Sequence, residues 1–276
     1  MKLNRILYPT DYSACSRVAF EYAVNLAHHF NVSLDVLHVC NEVPYMKRYT
    51  MAIKEAEVKE KITPEKTLQE FLEHHYMHNI NLSSKDVKIR QHIKEGNVVD
   101  GILECANETV SSIIVLGTRG EAQSRYNFGT VAARVSTKSQ IPVLTIPEDN
   151  RFNGFKQLVF ADDYEEIDKL ELDYLLEIAE MNNAKLTVLH IREVKDRERQ
   201  YRTNNFQSLK SMYGDKPNVN FEFIDGGNNK LESIAEYVKE NNIDILALKK
   251  RNHDEMPKET LIFQLVSKSV VPCLIY

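Results

Sequence analysis

The strongest constraint on the fold is that the sequence repeats itself. The segment Arg5–Tyr12 matches Gln157–Tyr164, and Ser33–Val39 matches Lys185–Ile191. Both matches are separated by 152 residues, so the spacing between the two segments is the same in each copy. A period of this length is typical of a duplicated domain and not of a solenoid of short repeats.

A third match shows where the copies end. Ile141–Ile146 matches Val271–Tyr276 after only 130 residues, so the second copy is shorter by 22 residues. A polar stretch at 147–154 lies between the copies. We therefore predict two domains of ordinary size, 1–148 and 154–276.

Each copy alternates short apolar runs with helical periodicity. In the first copy, runs rich in Val, Ile and Leu occur at 3–9, 33–39, 87–93, 112–116 and 142–146. Such runs suit strands of a parallel sheet that is covered on both faces. Helical spacing, with Ser13 as the predicted N-cap of the first helix, gives four apolar stripes: Ala19, Ala23, Leu26, Ala27 and Phe30; Val99, Ile102, Leu103 and Ala106; Leu172, Leu175, Leu176 and Ala179; and Leu231, Ile234, Ala235 and Val238.

This alternation predicts an α/β fold made of two tandem, open, doubly wound sheets. Each sheet is expected to have five parallel strands and right-handed βαβ crossovers, in a Rossmann-like arrangement. In such sheets, ligands bind beyond the carboxyl ends of the strands, where the strand order reverses. Asp11 and the segment after Leu116 both follow strands, so we predict the ligand site there.

Glycines and a threonine follow the fourth strand of the first copy. Gly117 and Gly120 let the backbone turn tightly and approach a ligand closely. Gly129-Thr130 stands where a helix begins, with free N–H groups, a hydroxyl and the positive end of the helix dipole. Together these residues predict a phosphate-binding loop. The alternative is that the glycines only shape a strand-to-helix connection.

The second copy has lost these glycines. The three corresponding positions are occupied by Lys249, Asn252 and Glu259. Side chains at the first two positions obstruct close backbone approach, and a glutamate at a helix start repels phosphate. Asp163 is retained opposite Asp11, but one acid does not make a nucleotide site. We predict that the second domain is a scaffold or partner surface that binds no nucleotide.

Composition argues against several classes of function. The chain has 276 residues, of which 43% are hydrophobic and 27% charged, and its net charge is −5. No basic surface for nucleic acid is expected, no apolar run approaches the roughly 18–20 residues that span a bilayer, and the first residues do not resemble a secretory leader. We predict a cytoplasmic protein with buried free thiols at Cys15, Cys40, Cys105 and Cys273.

Motifs for metal binding and catalysis are weak. His74, His75 and His78 share a predicted helix, but no third and fourth ligands follow, so a solvated face is favoured over a zinc site. His38 and His190 lie at matching strand ends and are expected to be hydrogen-bonded structural residues, with His38 close to the predicted ligand site. P-loop, dinucleotide and nucleophile-elbow motifs are absent, so we assign no catalytic residue.

The sequence resembles the universal stress protein family in its tandem form. ATP-binding members carry the pattern G-x2-G-x9-G-[S/T], whereas the second gap here, Glu121–Phe128, has eight residues. This deletion leaves the glycines in place but narrows or re-aims the loop. The resemblance covers nearly the whole chain and rests on Leu7–Asp11, Leu37–Val39, Gly96, Ile113–Gly120, Gly129-Thr130 and Pro142–Leu144.

The resemblance implies a fold like that of the adenine nucleotide alpha hydrolases. It also implies a site for ATP or another adenine nucleotide with Mg²⁺. By position, Pro9, Thr10 and Asp11 would line this site, and Val39 would offer backbone groups to the adenine. The ribose and phosphates would be surrounded by Leu116, Gly117, Arg119, Gly120, Gly129, Thr130 and Val131.

Two of these residues have a chemical role and a plainer alternative. Asp11 could bind a ribose hydroxyl, or a phosphate-bound Mg²⁺ through water, and Arg119 could pair with phosphate oxygens. Asp11 could instead only cap the following helix, and Arg119 could be a solvated loop cation.

The function implied by the resemblance is stress-response regulation through nucleotide binding, without nucleic acid or membrane partners and with protein partners that the sequence does not identify. The alternatives are an interaction scaffold with both sites inactive and a slow ATP-hydrolysing enzyme. We expect the domains to pack as an internal pseudo-dimer, with the strands Val143–Ile146 and Cys273–Tyr276 paired antiparallel so that neither edge is bare. A homodimer of the whole chain is a further option.

Overall fold

A computed structural model describes residues 3–40, 63–79, 87–118, 130–162, 164, 169–192, 200–226, 229–250 and 261–276. The chain divides into two compact units, Leu3–Phe152 and Asn153–Tyr276. We refer to them as unit 1 and unit 2. Both units are built from parallel strands that alternate with helices.

Unit 1 winds in two directions from its central strand. The strand order is β3-β2-β1-β4-β5, and all four pairings are parallel. The order therefore reverses between β1 and β4, which are neighbours in the sheet. Its elements are β1 (Arg5–Pro9), α1 (Ala14–Phe30), β2 (Ser33–Cys40), α2 (Pro64–Asn79), β3 (Ile89–Glu95), α3 (Val98–Glu108), β4 (Ile113–Gly117), α4 (Thr130–Lys138) and β5 (Val143–Ile146).

Unit 2 repeats this topology. Its strand order is β8-β7-β6-β9-β10, again with parallel pairing throughout and a reversal between β6 and β9. The predicted fold class, tandem doubly wound α/β sheets, is confirmed. The elements are β6 (Gln157–Asp162), α5 (Lys169–Asn182), β7 (Lys185–Arg192), α6 (Gln200–Tyr213), β8 (Val219–Asp225), α7 (Lys230–Glu240), β9 (Ile245–Leu248), α8 (Leu261–Lys268) and β10 (Cys273–Ile275).

The first helix begins as the sequence predicts. Ser13 has an extended backbone, and its hydroxyl accepts the Ser16 N–H at 3.2 Å, so it is the N-cap of α1. The stripe predicted for α1 is buried from Ala19 to Ala27, while Phe30 is half-buried. The prediction of the buried stripe of α7 was partly wrong. Ala235 is exposed, because Tyr237 turns inward with Ile234 and Val238 and donates its hydroxyl to Glu222 Oε2 at 2.6 Å.

A buried carboxylate joins the first three strands of unit 1. Asp35 on β2 has no exposed side-chain surface and lies 3.0 Å from Arg90 Nε, 3.5 Å from Arg5 Nε and 2.6 Å from His92 Nε2. A buried charge is tolerated only when it is paired and hydrogen-bonded. The three partners, from β1 and β3, satisfy this condition, so the cluster fixes the lateral register of this half of the sheet.

Several helices end in a left-handed residue. Asn31, Asn183 and Asn242 follow α1, α5 and α7 with φ of 52°, 51° and 50°, and asparagine tolerates this conformation. After α3 the same position is taken by Val110, with φ of 52° and 72% of its surface exposed. A β-branched residue is disfavoured in this region, so Val110 is a strained exception.

Candidate site at the strand-order reversal

The end of β1 and the end of β4 lie side by side in unit 1. Ile6 and Leu7 pair with Ile113 and Ile114, which places both carboxyl ends at one edge of the sheet. The Thr10 N–H donates to Leu37 O at 2.8 Å, and the Thr118 N–H donates to Ile146 O at 3.1 Å. The chain after β1 therefore stays hydrogen-bonded to β2, and the chain after β4 stays hydrogen-bonded to β5. Because the two segments diverge from each other, a crevice opens between the ends of β1 and β4.

The turn after β1 is held by its own side chains. Thr10 Oγ1 accepts the Tyr12 N–H at 3.1 Å and lies 3.0 Å from Ser16 Oγ. Asp11 Oδ1 accepts the Ser13 N–H at 3.1 Å. The N-cap of α1 is Ser13 rather than Asp11, so the carboxylate of Asp11 supports the cap residue and remains exposed at the crevice.

Gly117 packs against the first turn of α1. A Cβ built at this position would lie 3.0 Å from the Cys15 carbonyl oxygen and 3.1 Å from Cys15 Sγ. The φ of Gly117 is not positive. The missing side chain at Gly117 therefore serves a close strand-to-helix approach, and not the left-handed turn that glycine also permits.

Below this contact, two small polar groups line the end of β4. Cys15 Sγ lies 3.8 Å from Thr118 Oγ1 and donates to Ile146 O at 3.6 Å. Both residues are buried, as is Leu116. They form the floor of the crevice, where the first turn of α1 meets the ends of β4 and β5.

Val39 lies on the other side of the central strand. Its side chain is buried against α3, because a Cβ built on Gly101 would meet both Val39 methyl groups at 3.2 Å. Leu37 O accepts the Thr10 N–H, and hydrogen bonding alternates between the two sides of a central strand. The N–H and C=O of Val39, two residues further on, therefore face the β1 side beyond Thr10.

The structure brings some of the predicted site residues together, whereas others lie outside the described ranges. The structure brings Pro9, Thr10, Asp11, Leu116 and Gly117 to adjacent strand ends, with Val39 on the neighbouring strand. Thr130 is the first residue of α4 and Val131 the second, half-buried. Arg119, Gly120 and Gly129 lie outside the described residues.

Sequence reasoning missed two features of this region, the Cys15–Thr118 floor and an aromatic contact above it. The Tyr12 ring lies 4.5 Å from the His38 ring, and His38 Nδ1 is 2.9 Å from Thr10 O. His38 is therefore hydrogen-bonded, as expected. The repeat carried a signal for Tyr12, because Tyr164 occupies the same position in the second copy.

In unit 2, charged side chains meet beyond the carboxyl end of β9. Lys249, opposite Gly117, places its Nζ 3.5 Å from Glu171 Oε2, and both side chains are only 18% exposed. Burial also lowers the pKa of the neighbouring Lys250 below its ordinary value. Asn252, Glu259 and Asp163 lie outside the described residues.

The histidines of the described ranges do not form a metal site. Within those ranges, no group of three His, Cys, Asp or Glu side chains is arranged to hold a metal ion. His74 is exposed, as predicted, but His75 is half-buried with its ring 4.7 Å from that of Phe71. Burial, with His74 and Arg17 nearby, lowers the pKa of His75. His190 is buried among aromatic rings, 5.1 Å from Tyr164 and 5.5 Å from Phe206.

No helix in the described part of the chain is both long enough and apolar enough to span a bilayer. All four cysteines are free, and three of them are buried while Cys40 is half-buried. The prediction of free thiols is confirmed, and the prediction of burial holds for Cys15, Cys105 and Cys273.

A parallel sheet whose strand order reverses next to its central strand defines a doubly wound α/β protein. The family model of the universal stress proteins matches residues 2–147. The chain belongs to the universal stress protein family.

Individual relatives agree with this assignment. Universal stress protein MJ0531 of Methanocaldococcus jannaschii is 27% identical over 151 residues, which cover 54% of this chain and 84% of the relative. Stress response protein NhaX of Bacillus subtilis is 26% identical over 165 residues, covering 52% of this chain and 97% of the relative. A crystal structure of a universal stress protein from Archaeoglobus fulgidus has a TM-score of 0.72 at 18% identity and covers 99% of this chain and 96% of its own, which shows the shared fold.

Proposed function

We propose that unit 1 binds ATP or another adenine nucleotide, together with Mg²⁺, at the crevice between β1 and β4, and that the protein acts as a regulator in the stress response. The observation that carries the proposal is the convergence of Asp11 with the Gly117–Thr118 backbone at one strand-order reversal. Polar groups converging at such a reversal are the usual mark of a ligand site in doubly wound sheets.

Each part of the crevice suits a different part of a nucleotide. The exposed carboxylate of Asp11 can bind a ribose hydroxyl, or Mg²⁺ through water. The start of α4 at Thr130 offers free N–H groups and the positive end of a helix dipole to phosphate. Arg119 and the glycines at 120 and 129 would complete the phosphate loop, and the backbone of Val39 faces the position proposed for the adenine.

We further propose that the two sequence copies are universal stress domains, 1–148 and 154–276, and that the second binds no nucleotide. The Lys249–Glu171 ion pair supports this proposal, because it places two charged side chains at the strand end where unit 1 has Gly117. An internal carboxylate already neutralises the cation that would attract phosphate. Unit 2 then acts as a scaffold or a partner surface.

A cytoplasmic location fits the same proposal. Cys15, Cys40, Cys105 and Cys273 are all free, and unpaired cysteines are the rule in reducing compartments. The nucleotide and its Mg²⁺ complex would be available there.

The decisive experiment is analysis of nucleotide retained by the purified full chain, followed by calorimetric titration with Mg-ATP. We expect saturable binding of one nucleotide per chain. Asp11→Asn should weaken it at least about tenfold, because a carboxylate contact to Mg²⁺ or ribose is lost. Asp163→Asn, the matched variant in the second copy, should bind like the wild type.

The other outcomes separate the alternatives. Two nucleotides per chain would contradict the scaffold role of unit 2. If the purified chain retains no nucleotide and shows no binding in the titration, the remaining function is an interaction scaffold with two inactive sites. Release of phosphate well above background, lost in Asp11→Asn, would point to the ATP-hydrolysing enzyme.

A further inference from the structure

Tyr12, the residue after Asp11, has an unusual backbone. Its φ is 64°, in the left-handed region that residues with a Cβ avoid. Its counterpart Tyr164 has φ of 57°. Such strain persists only where surrounding contacts over-determine it, and it is concentrated at functional sites. The contacts of Tyr12 therefore bear on the crevice beside it.

The ring of Tyr12 is wedged between β2 and α2. It lies 4.5 Å from the His38 ring and 5.3 Å from the Phe71 ring. His38 is in turn fixed by its contact with Thr10 O at 2.9 Å. Phe71 packs on Phe20 of α1 at 5.4 Å. The ring thus contacts side chains that are themselves held in place.

The hydroxyl of Tyr12 contributes little to this arrangement. Its oxygen is buried, yet within the described parts of unit 1 and unit 2 it has no hydrogen-bond partner. The Tyr12 carbonyl accepts a long, exposed bond from Arg17 Nη1 at 3.4 Å. Together with the Tyr12 N–H to Thr10 Oγ1 bond, the ring contacts hold the residue.

Unit 2 holds the equivalent tyrosine differently. Tyr164 is fully buried, and its hydroxyl donates to Leu189 O at 3.0 Å. Asn205 Nδ2 donates to the Tyr164 carbonyl at 2.9 Å. The His190 and Phe206 rings lie 5.1 Å from it. The ring triad is common to both units, and in unit 2 the tyrosine hydroxyl is also hydrogen-bonded to the backbone of β7.

We propose that Tyr12 is a positioning residue for the ligand site of unit 1, a role that rests on the nucleotide-binding function proposed above. Its ring, clamped by His38 and Phe71, fixes the left-handed turn and thereby sets the direction of the Asp11 carboxylate. Tyr12 acts through Asp11 and does not contact the nucleotide. The hydroxyl takes no part in this role.

The test compares Mg-ATP affinity in full-length variants. Tyr12→Gly accepts the left-handed backbone but removes the ring, and should weaken binding about tenfold or more, as small misplacements of a binding group do. Tyr12→Phe keeps the ring and should bind Mg-ATP with the affinity of the wild type. Tyr164→Gly should lower stability while the affinity is unchanged. If Tyr12→Gly does not fold by circular dichroism, Tyr12→Leu, which keeps apolar volume without a flat ring, takes its place.

A double-mutant cycle separates positioning from general support of the fold. In the Asp11→Asn background, the Tyr12→Gly loss should shrink to less than about twofold, because coupled residues give non-additive effects. If the Tyr12→Gly and Asp11→Asn substitutions reduce the affinity for Mg-ATP independently, so that their factors multiply in the double variant, the positioning role is overturned. A Tyr12→Gly protein that binds Mg-ATP as tightly as the wild type would also overturn it. In both cases the proposal of nucleotide binding stands. A wild type without affinity for Mg-ATP would overturn both proposals.

Discussion

Gly117 at the end of β4 packs directly against Cys15 in the first turn of α1. A Cβ on Gly117 would lie 3.0 Å from the Cys15 carbonyl oxygen and 3.1 Å from its sulfur. The carbonyl belongs to the first turn of α1 and cannot rotate away as a side chain can. This contact fixes the distance between β4 and α1 at the floor of the crevice.

The first prediction follows from that contact. Gly117→Ala should reduce the free energy of unfolding by about 1–3 kcal/mol, because the backbone must shift to admit the methyl group. Urea unfolding followed by circular dichroism measures the loss. The double variant Cys15→Ala, Gly117→Ala should recover only part of it, since the sulfur is removed but the carbonyl remains. An unchanged midpoint in Gly117→Ala would contradict the packing role.

The second prediction concerns the buried carboxylate of Asp35. Asp35→Asn leaves Arg5 and Arg90 without their counter-charge, but these cations are 31% and 34% exposed and can be hydrated. We therefore expect a loss of about 2 kcal/mol, below the range for fully buried pairs. Thermal and urea unfolding provide the measurement.

Glu104→Gln is the matched control for this variant. Glu104 pairs with Lys94 at 3.4 Å, but 66% of its side chain is exposed, and surface pairs contribute at most about 1 kcal/mol. A loss in Asp35→Asn no larger than in Glu104→Gln would show that the Asp35 cluster does not support the sheet.

The third prediction is a gain of stability at Val110. Val110→Asn places at the end of α3 the residue type that the equivalent helix end in unit 2 has at Asn242. Because the left-handed backbone costs about 1–2 kcal/mol for a residue with a Cβ and less for Asn, we expect a gain of about 1 kcal/mol. Asn242→Val should lose a similar amount. Equal unfolding midpoints for wild type and both variants would rule out the strain.

The fourth prediction concerns thiol reactivity in the folded protein. Burial raises the pKa of Cys105 to about 11 and of Cys273 to about 12, so both remain protonated at pH 8. Cys15 is buried as well, whereas Cys40 is half-buried. Brief alkylation at pH 8 with mass-spectrometric mapping should modify Cys40 first, at a rate below that of a free thiol because its pKa is also raised. Modification of Cys105 or Cys273 before Cys40 would contradict this order, and modification of all four after unfolding in urea is the control.

Local periodicity predicted most of the fold. The runs at 33–39 and 112–116 became β2 and β4 to within a residue, because continuous apolar side chains mark strands buried on both faces. The third strand lies two residues later than predicted, at Ile89–Glu95, where its side chains are largely half-buried and the apolar signal is weak. Ala235 was misassigned because a small apolar residue satisfies a helical stripe without having to be buried.

The candidate site was predictable only in part. Strand ends and topology point to Asp11 and Gly117, since parallel strands deliver their carboxyl ends to one edge. The Cys15–Thr118 floor and the clamp on Tyr12 could not be predicted, because they join residues far apart in the chain whose meeting depends on tertiary packing. The Asp35 cluster is invisible in the sequence for the same reason.

The neighbours of the central strand have a consequence for biosynthesis. β1 pairs with β2 soon after it in the chain, but its other edge waits for Ile113 and Ile114 of β4. Closing so long a loop is slow, and contacts of this kind form late. A nascent chain that does not yet include β4 has the β1 side of the crevice but lacks the β4 side. Any molecule held there would therefore distinguish a finished unit 1 from one that is still being made.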